Sequence, residues 1–581
     1  MKDELGRVIA STYDKADRLT KVTRIGFENR DGTTRDIVIE ERVHDAAGRI
    51  VRTLSGNGTR RVDAAYDAAG RMTSSTLDPL GLNRTTAWVR DGAGNVLTET
   101  LSDGTRTEET RTAYDDGGRK VSETIENGTV DVVTTYGYDQ RGNLAWTVDP
   151  RGNTDGSPDQ AFKTTLEHDA LSRPVRRTAP SVVVEEGGSA TTAQPFSVIG
   201  YNTFGDAVAT VDERGKTTVT DVDRLGRRTG VTHPSYVPPA PTGAAAITPT
   251  EAFSYDRVGN LRWRYDRRGQ RTDFAFDKRN RVVQQLDPSV AGGARGETRF
   301  TYDDAGNRMA TVDPTGARTE WTYDKLNRQR TETAVVRREG QTAARYTTTF
   351  DYDDLGRPSY LQDAAGAVST QQWSPAGELL SATDALLKTT THEYDVAGRR
   401  VKTTDPLGRS SVVATDLAGR VTAASRVAPN GSVMTTTGFG HDLAGNRTSI
   451  TSARGFTTTF AVDADGRLTG VTQPVDAGHA IDVGYGYDAA GNLTRFTDGR
   501  GNVTLRTYNA WNLPQSTVDP STAAHPSLAD RSWTGGFAQG LADELGVGVK
   551  APTTDIRVSS RGAITFEDGG EWRWFHPASV P

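Results

Sequence analysis

Turn residues recur at a fixed spacing through residues 350–420, and this spacing constrains the fold more than any other feature of the chain. Successive turns begin 10, 11, 10, 11, 10 and 11 residues apart, at Asp353, Asp363, Ser374, Asp384, Asp395, Asp405 and Asp416. Such an alternation is typical of a tandem unit of 21 residues made of two similar halves. It predicts an all-β protein built as a long antiparallel β-meander, because the chain must reverse after each strand of about six residues.

The first half of each unit carries the motif Tyr-Asp-x-x-Gly-Arg, or Asn in place of Arg. Asp suits the first position of a type I turn, since its carboxylate accepts backbone N–H groups two residues on. The Gly position requires positive φ, and the residues that replace Gly are expected to be Asp or Asn, as at Asp17, Asn280, Asn327 and Asn512. We call this the Tyr-Asp turn and predict a three-residue hairpin loop with a bulge. Five representative copies give the predicted structural residues Tyr66, Asp67, Gly70, Arg71, Tyr138, Asp139, Gly142, Asn143, Tyr352, Asp353, Gly356, Arg357, Tyr394, Asp395, Gly398, Arg399, Tyr487, Asp488, Gly491 and Asn492.

This loop geometry also predicts which residues face each other across the hairpin. The turn Asp should lie opposite the following Arg or Asn, and the Tyr opposite the next aliphatic residue. The expected pairs are Tyr66 with Met72, Tyr138 with Leu144, and Tyr487 with Leu493. Since neighbouring strand residues point to opposite faces, Tyr and the aliphatic residue should cover an apolar face and Asp with Arg a polar one.

The second half of the unit ends in another turn, the half-way turn, often Asp-Pro-x-Gly. Copies begin at Asp78, Asp149, Asp313 and Asp405. Pro at the second position presets φ for a type I turn and removes a donor that the turn does not use. The half-way turn is therefore predicted to reverse the chain as the Tyr-Asp turn does.

Composition favours a thin sheet over a solid core. Of 581 residues only 35% are hydrophobic, whereas 61 are Gly. The net charge of −6 comes from 75 acidic and 69 basic residues that are interspersed, which argues against nucleic-acid or membrane-surface binding. There is no Cys, so disulfides, thiolate nucleophiles and Cys-based metal sites are excluded. No apolar run is long enough to span a membrane.

The pattern predicts three segments: a repeat β-sheet at 1–520, a linker at 521–532 and a small α/β element at 533–581. The last is expected to contain a helix with Phe537, Leu541 and Leu545 on one face, then four short strands. Stretches 179–196, 233–252 and 288–298 interrupt the rhythm. The second is rich in Pro and Ala and is predicted to be an exposed loop, either a tolerated insertion or a docking loop.

No catalytic, cofactor-binding or metal-binding residue is predicted. His44, His168 and His441 occupy the Tyr position of the motif and are interpreted as flat-ring substitutes. Asp463 and Asp465 resemble the start of a calcium loop, but the Glu expected as its twelfth ligand is missing. Near the end of the chain Trp572, Trp574 and His576 cluster, as in an edge strand or, alternatively, a ligand site.

The Tyr-Asp-x-x-Gly-Arg motif with Asp-Pro-x-Gly between copies resembles the YD repeats of the Rhs family, which are shared with the C components of bacterial Tc toxins and with teneurins. The resemblance covers about residues 1–520. It implies a meander wound into a hollow spiral shell around a C-terminal polypeptide, usually a toxin, in an exported protein. The family's closing segment with self-cleavage residues is not found before the tail, so no cleavage aspartate is predicted.

The tail is similar to the end of caspase-like cysteine peptidase domains of polymorphic toxins. Ser532 stands where the nucleophilic cysteine would be, and the resemblance therefore implies a remnant that cannot cut.

Three functional hypotheses remain open from the sequence. The first is a non-enzymatic shell segment, secreted or at the cell surface, that encapsulates or presents a fused or enclosed C-terminal effector in interbacterial competition. The second is an extracellular adhesin that binds carbohydrate or a cell surface. The third is an enzyme seated in the tail. Because residues 3–7 already read as a turn, the chain is expected to begin inside a larger protein.

Overall fold

A computed structural model describes residues 8–520, apart from 129, 155–158, 187, 238–244, 290–292, 338–341 and 477, together with five short strands between 531 and 575. Strands dominate, and no α-helix occurs among the described residues. Two short 3₁₀ helices lie at Pro150–Gly152 and Asp159–Phe162. The structure therefore confirms the predicted all-β meander.

The strands follow one another at short intervals along the chain. The first twenty are β1 Val8–Tyr13, β2 Leu19–Glu28, β3 Thr34–His44, β4 Ile50–Ser55, β5 Arg60–Tyr66, β6 Met72–Leu77, β7 Arg84–Arg90, β8 Val96–Ser102, β9 Thr107–Tyr114, β10 Lys120–Ile125, β11 Val132–Tyr138, β12 Leu144–Val148, β13 Lys163–His168, β14 Pro174–Thr178, β15 Val182–Glu186, β16 Ser189–Ala193, β17 Phe196–Tyr201, β18 Ala207–Val211, β19 Thr217–Val222 and β20 Arg228–Thr232. The next sixteen are β21 Thr250–Tyr255, β22 Leu261–Tyr265, β23 Arg271–Phe276, β24 Val282–Leu286, β25 Glu297–Tyr302, β26 Arg308–Val312, β27 Arg318–Tyr323, β28 Gln329–Val336, β29 Ala344–Tyr352, β30 Pro358–Gln362, β31 Val368–Trp373, β32 Leu379–Thr383, β33 Thr389–Tyr394, β34 Arg400–Thr404, β35 Ser410–Thr415 and β36 Val421–Val427. The last are β37 Val433–His441, β38 Arg447–Thr451, β39 Thr457–Val462, β40 Leu468–Pro474, β41 Ala480–Tyr487, β42 Leu493–Thr497, β43 Val503–Tyr508, β44 Pro514–Val518, β45 Arg531–Ser532, β46 Val549–Pro552, β47 Ile556–Val558, β48 Ile564–Phe566 and β49 Trp572–Phe575.

Two units divide the chain. Unit 1 comprises Met1–Val133, Ala275–Asp287 and Gly293–Gly438, and unit 2 comprises Thr134–Phe274, Pro288–Gly292 and Phe439–Pro581. In each unit an early run of hairpins contacts a late run that follows much further along the chain. The early and late runs are 8–133 and 293–438 in unit 1, and 134–274 and 439–518 in unit 2.

The predicted register is confirmed. Tyr66 pairs with Met72, Tyr138 with Leu144, and Tyr487 with Leu493, and in each hairpin the register shifts just before the Tyr. That shift is the expected bulge, produced because the loop contributes one residue with positive φ.

The residue with positive φ is more varied than the sequence suggested. Asp17, Asn280, Asn327 and Asn512 adopt it as expected, but Ser172 (φ 62°) and Leu387 (φ 60°) also do so. The expectation that Asp or Asn replaces Gly in the Tyr-Asp turn is therefore wrong at Ser172, whereas Leu387 stands in a half-way turn, to which that expectation does not apply. Left-handed backbone disfavours Leu, so the hydrogen bonds of the turn must offset this local strain.

Half-way turns with Pro take two forms. At Asp313 and Asp405 the Gly three residues on has φ near 80°, as in a Tyr-Asp turn. At Asp78 the residues with positive φ are Asp78 itself (47°) and Asn83 (46°), and the turn at Asp149 continues into a 3₁₀ helix. In both copies the Gly N–H still donates to the Asp carbonyl at 3.0 Å and the chain reverses as predicted, so the two forms differ only in the backbone around this hydrogen bond.

Fully buried apolar side chains are few and scattered, for example Phe27, Ile37, Val148, Val231 and Val396. Most strand residues are half-buried on both faces. This distribution agrees with the thin sheet expected from the low apolar content, since a single layer has no deep interior.

Two of the three interruptions are built into unit 2. Within the stretch 179–196, β15 and β16 pair as a separate two-stranded sheet. In the stretch 233–252, Tyr236 is 5% exposed and its ring centroid lies 4.5 Å from that of Trp511. The prediction of an exposed loop is therefore wrong around Tyr236, because an aromatic side chain in the insertion finds an apolar partner in the late run.

The tail is described only at its strands. β46, β47, β48 and β49 lie close to the four strands expected there, with β46 paired to β49 and β47 to β48. The predicted helix at 537–545, most of the linker, and His576 with the side chains of Trp572 and Trp574 lie outside the described residues. The division of the chain at 520 and 533 stays a prediction.

Candidate functional site: turn clasps and arginines between runs

Each Tyr-Asp turn is held by the side chain of its first residue, which is Asp in most copies and Asn at 202 and 509. In the turn at Asp67, one carboxylate oxygen (Oδ1) accepts the Arg71 backbone N–H at 2.9 Å, and the other (Oδ2) accepts Arg71 Nε at 2.8 Å. The Asp67 carbonyl accepts the N–H of Gly70, whose φ is 80°. The other selected turns share this plan, with Asn in place of Arg where the sequence has it, at Asp139–Asn143, Asp353–Arg357, Asp395–Arg399 and Asp488–Asn492. Their glycines Gly142, Gly356, Gly398 and Gly491 all have φ between 78° and 87°.

The turn arginine also reaches forward to the next Tyr-Asp turn. Arg49 Nη1 donates to the Asp67 carbonyl at 2.9 Å, and Arg467 Nη1 donates to the Asp488 carbonyl at 3.0 Å. One guanidinium therefore binds the aspartate of its own turn and the carbonyl of the next turn. Arginine can do both because its planar group carries five N–H donors.

The tyrosine reaches back in the opposite direction. Tyr66 donates its hydroxyl hydrogen to the Ile50 carbonyl at 2.8 Å, at the start of the strand that follows the preceding Tyr-Asp turn. Tyr487 makes the equivalent bond to the Leu468 carbonyl at 2.7 Å. We call the forward arginine bond and the backward tyrosine bond together the clasp.

The two halves of the clasp are in contact. The Arg49 guanidinium lies over the Tyr66 ring at 5.0 Å and that of Arg467 over the Tyr487 ring at 5.1 Å. The predicted separation of a Tyr face from an Asp–Arg face is therefore wrong for the arginine, which crosses to the ring of the next hairpin. A cation over an aromatic face is stabilising by about 0.5–1 kcal/mol at exposed sites.

The protonation states suit a structural role. Hydrogen bonding from the Arg71 backbone lowers the pKa of the Asp67 carboxyl, and the Asn143 side-chain amide does the same for the pKa of Asp139. Burial raises the pKa of the Tyr352 and Tyr487 hydroxyls. The carboxylates stay charged acceptors and the hydroxyls stay donors at neutral pH, where an acid–base catalyst would instead titrate.

In unit 1 a second set of contacts joins the early run to the late run. Arg84 follows a half-way turn and donates to Glu378 Oε1 at 2.7 Å and to the Asp395 carbonyl at 2.9 Å. The Arg84 and Glu378 side chains are only 13% and 10% exposed. Arg106 donates to the Asp416 carbonyl at 2.5 Å. These partners are separated by 294–311 residues in the sequence.

Unit 2 uses the same mode of contact. Arg151 donates to the carbonyls of Asp463 and Ala464 at 2.9 and 2.8 Å. Arg214 donates to the carbonyls of Asn509 and Tyr508 at 2.8 and 3.0 Å. Here too a half-way turn of the early run meets a Tyr-Asp turn of the late run, with separations of 294–313 residues.

The inserted hairpin β15–β16 adds one more contact within unit 2. The Glu185 carboxylate receives Arg495 Nε at 2.8 Å and Arg495 Nη2 at 2.9 Å. It lies directly over Gly486, where a Cβ would come within 2.0 Å of the carboxylate. Gly486 is therefore needed to admit the glutamate.

Comparison with known proteins connects this repeat to a family. The profile of the RHS Repeat family matches residues 373–410 and 487–524, each of which contains a Tyr-Asp turn and the half-way turn after it. The chain therefore carries RHS repeats at these two places. No curated protein sequence matches it.

Solved structures share the fold of this RHS-repeat chain. The TcdB2-TccC3-Cdc42 crystal structure matches 98% of the chain with a TM-score of 0.62 and 14% identity. A TcdB2-TccC3 structure without its hypervariable C-terminal region matches 97% (TM-score 0.61, 14% identity), and the Photorhabdus luminescens Tc holotoxin pore matches 97% (0.61, 13%). The chain spans about one third of the length of these structures, 33%, 32% and 32% respectively. At this identity the likeness shows the fold.

The contacts between runs were missed from the sequence of the RHS-repeat chain. Arg151 and Arg214 each stand in an Asp-x-Arg-Gly half-way turn, which is a signal that could have marked them. Their partners could not be read, because no local pattern gives a separation near 300 residues. Arg84 and Arg106 have no such motif.

Other candidate chemistry in the RHS-repeat chain is sparse. His233 Nε2 lies 2.8 Å from Glu251 Oε1. Across the described part of the chain, no group of three or more His, Asp or Glu side chains is placed to hold a metal ion. Within the same residues, no helix has the length and apolar character needed to cross a membrane.

Proposed function

We propose that the chain is a non-enzymatic shell segment of an exported RHS-type protein that encapsulates a C-terminal effector polypeptide used in competition between bacteria. The observation that carries this proposal is the fold match over 98% of the chain to TcdB2-TccC3 structures, one of which is described as lacking a hypervariable C-terminal region. A variable C-terminal region after a constant wall is what an interchangeable effector would require.

The contacts support a wall rather than a catalyst. The clasps join hairpin to hairpin along a run, and the arginines of the half-way turns join run to run. Both sets consume the charged side chains that a hydrolase would need as acid, base or electrostatic stabiliser. A wall assembled from turn contacts leaves strand faces available to border an enclosed polypeptide.

The adhesin hypothesis is less well supported. It requires aromatic side chains free to stack on sugar rings, and the clasp tyrosines Tyr66 and Tyr487 are not free, because their rings lie under arginines and their hydroxyls are hydrogen-bonded to carbonyls. We retain it as the alternative that a glycan array would test.

Protease protection tests encapsulation. A seven-residue site for a specific protease is placed in the tail between 535 and 545 of the full chain, and in a second protein it is placed in the half-way turn at Leu386 and Leu387, which are 74% and 85% exposed. We expect cleavage of the tail site to be at least about a hundredfold slower, as for a site reached only through rare opening. Equal cleavage rates would refute encapsulation.

The effector role has a separate test. A strain carrying the complete gene and its downstream neighbour is grown against a sibling that lacks the neighbour. Loss of the sibling, with rescue when the neighbour is returned, is expected if the C-terminal polypeptide is a toxin with a dedicated immunity protein. Unimpaired growth of the sibling would contradict the competition role and leave the encapsulation result unaffected.

A further inference from the structure

A row of exposed apolar side chains stands on the early run of unit 2. Four successive Tyr-Asp turns carry a large apolar residue two positions after the turn Asp or Asn: Leu171, Phe204, Leu225 and Val258, which are 70%, 92%, 75% and 71% exposed. Successive turns are two strands apart, so the row is about 29 Å long at 4.8 Å per strand. Aligned apolar residues on this scale indicate an interaction surface.

The same turn position is a contact position elsewhere in the chain. In the late run of unit 2 it holds Trp511, whose ring lies on Tyr236 and whose Nε1 donates to the Pro234 carbonyl at 2.7 Å. In unit 1 it holds Leu355, which lies against Gly56 of a half-way turn. In both copies the large side chain at this position packs against the half-way turn edge of another run.

The position is not apolar by default. In the early run of unit 1 the corresponding residues are small, Ala47, Ala69 and Ala93. Among the early runs, the large apolar residues stand in these four turns of unit 2, which argues that those turns have something to contact.

The complementary edge is present on the same chain. The late run of unit 2 has half-way turns at 452–456 and 498–502, in which Arg454 and Arg500 occupy the turn position that Arg151 and Arg214 occupy in the early run. Arg454 and Arg500 are exposed. They are therefore free to donate to turn carbonyls of a further run, as Arg151 and Arg214 do.

Apolar side chains accompany these arginines. Phe456 and Val475 are 49% and 54% exposed. With Ile450 and Pro474 they line a groove of about 260 Å³. A groove of this size accepts one or two large side chains of the kind found in the row at Leu171 to Val258.

We propose that copies of this chain associate head to tail. The half-way turns of the late run of unit 2 in one copy lie on the Tyr-Asp turns 169–260 of the next copy, in the mode that joins the two runs within each unit. Arg454 and Arg500 donate to turn carbonyls, and Phe204 and Leu225 pack against Phe456 and Val475. The contact is heterologous, so each copy keeps one free edge of each kind and the assembly is open-ended.

Sedimentation velocity on paired variants tests this arrangement. Phe204→Asp with Leu225→Asp disables the surface formed by the Tyr-Asp turns 169–260, which we call the Tyr-Asp edge. Arg454→Glu with Phe456→Asp disables the surface formed by the half-way turns of the late run of unit 2, which we call the half-way edge. Asp fits the turn position, because Asp465 occupies it in another Tyr-Asp turn. We expect the wild-type chain to associate beyond dimers with rising concentration, and each double variant to bind itself at least tenfold more weakly.

Mixing the two variants gives the decisive result. Each variant retains the edge that the other lacks, so the mixture should form heterodimers. These heterodimers should not grow further, because both of their remaining edges are disabled. Val89→Asp, at a strand residue of unit 1 that is 59% exposed, should associate like the wild type. A wild-type chain that stays monomeric up to about 100 μM, a mixture that stays monomeric, or variants that associate like the wild type would each overturn the proposal.

Discussion

Replacing Arg214 with alanine removes the arginine that joins a half-way turn of unit 2 to the late run. Its guanidinium donates to the carbonyls of Asn509 and Tyr508 and lies 3.3 Å from Asp488 Oδ2. The Arg214 and Asp488 side chains are 12% and 5% exposed. Removing one member of a buried ion pair costs about 3–5 kcal/mol.

The lower end of that range applies here, because the Asp488 carboxylate keeps other donors. It accepts the N–H groups of Ala490 and Asn492 and the Asn492 amide at 2.8–3.0 Å. The loss is therefore about 3 kcal/mol, chiefly from hydrogen bonds made by a charged donor. This free energy corresponds to a roughly hundredfold rise in local opening.

Hydrogen exchange measured by mass spectrometry over residues 503–518 reports that opening. Arg409→Ala is the control, since Arg409 also stands in a half-way turn but its ion pair with Asp405 lies at the surface, with side chains 58% and 33% exposed. We expect the control to change exchange by less than threefold. Arg214→Lys should recover only part of the protection, because an ammonium lacks the planar fork. Equal hydrogen exchange over residues 503–518 in Arg214→Ala and Arg409→Ala would refute the proposed role of Arg214.

Three further perturbations address the clasp, the inserted hairpin and the pH response. Tyr487→Phe removes the hydroxyl that donates to Leu468 and should destabilise its hairpin by about 1 kcal/mol, measured as a shift in the urea midpoint. Gly486→Ala places a Cβ on the Glu185 carboxylate and should displace the hairpin β15–β16, measured as faster exchange at 182–193. The pKa of Asp67 is lowered in the folded chain, so its contribution to the free energy of unfolding is complete above the unfolded pKa near 4 and is lost as the pH falls through the folded pKa. Asp67→Asn should therefore reduce the fall of the urea midpoint between neutral and acidic pH.

Each of these three variants has a control variant and a result that would contradict the expectation. Tyr346→Phe changes a half-exposed tyrosine and should leave the urea midpoint unchanged; an equal shift would speak against the clasp. At Gly470 an added Cβ would lie 3.7 Å from its nearest neighbours, so Gly470→Ala should be tolerated. Similar hydrogen exchange at 182–193 in both glycine variants would mean that Glu185 moves aside freely. For the pH series, the control is Asp36→Asn, and identical acid limbs for Asp67→Asn and the wild type would contradict the charge argument.

Local geometry was predictable from the sequence because it depends on a few adjacent residues. The pairing of Tyr487 with Leu493 follows from a loop of fixed length and one residue with positive φ. The turn at Asp78 has a different backbone from the turn at Asp313, although the motifs match, because Asn83 offers a second residue that tolerates positive φ.

Contacts between runs were not predictable in the same way. The pairing of Arg214 with the Asn509 carbonyl depends on twist summed over many strands, each contributing a rotation of roughly 20–25° that no single motif encodes. The burial of Tyr236 against Trp511 has the same origin. Local sequence therefore gave the hairpin and its register, and long-range geometry decided which hairpins meet.

The clasp has a mechanical consequence. Each clasp connects a hairpin only with the next one along the chain, so a pulling force applied at one end loads one clasp at a time. Hairpins then detach in sequence, and each release of a 21-residue unit lengthens the chain by roughly 70 Å, at about 3.3–3.6 Å per extended residue. Stepwise extension at low peak force, rather than collective rupture, is therefore the mechanical response that tyrosine and arginine build into the sheet.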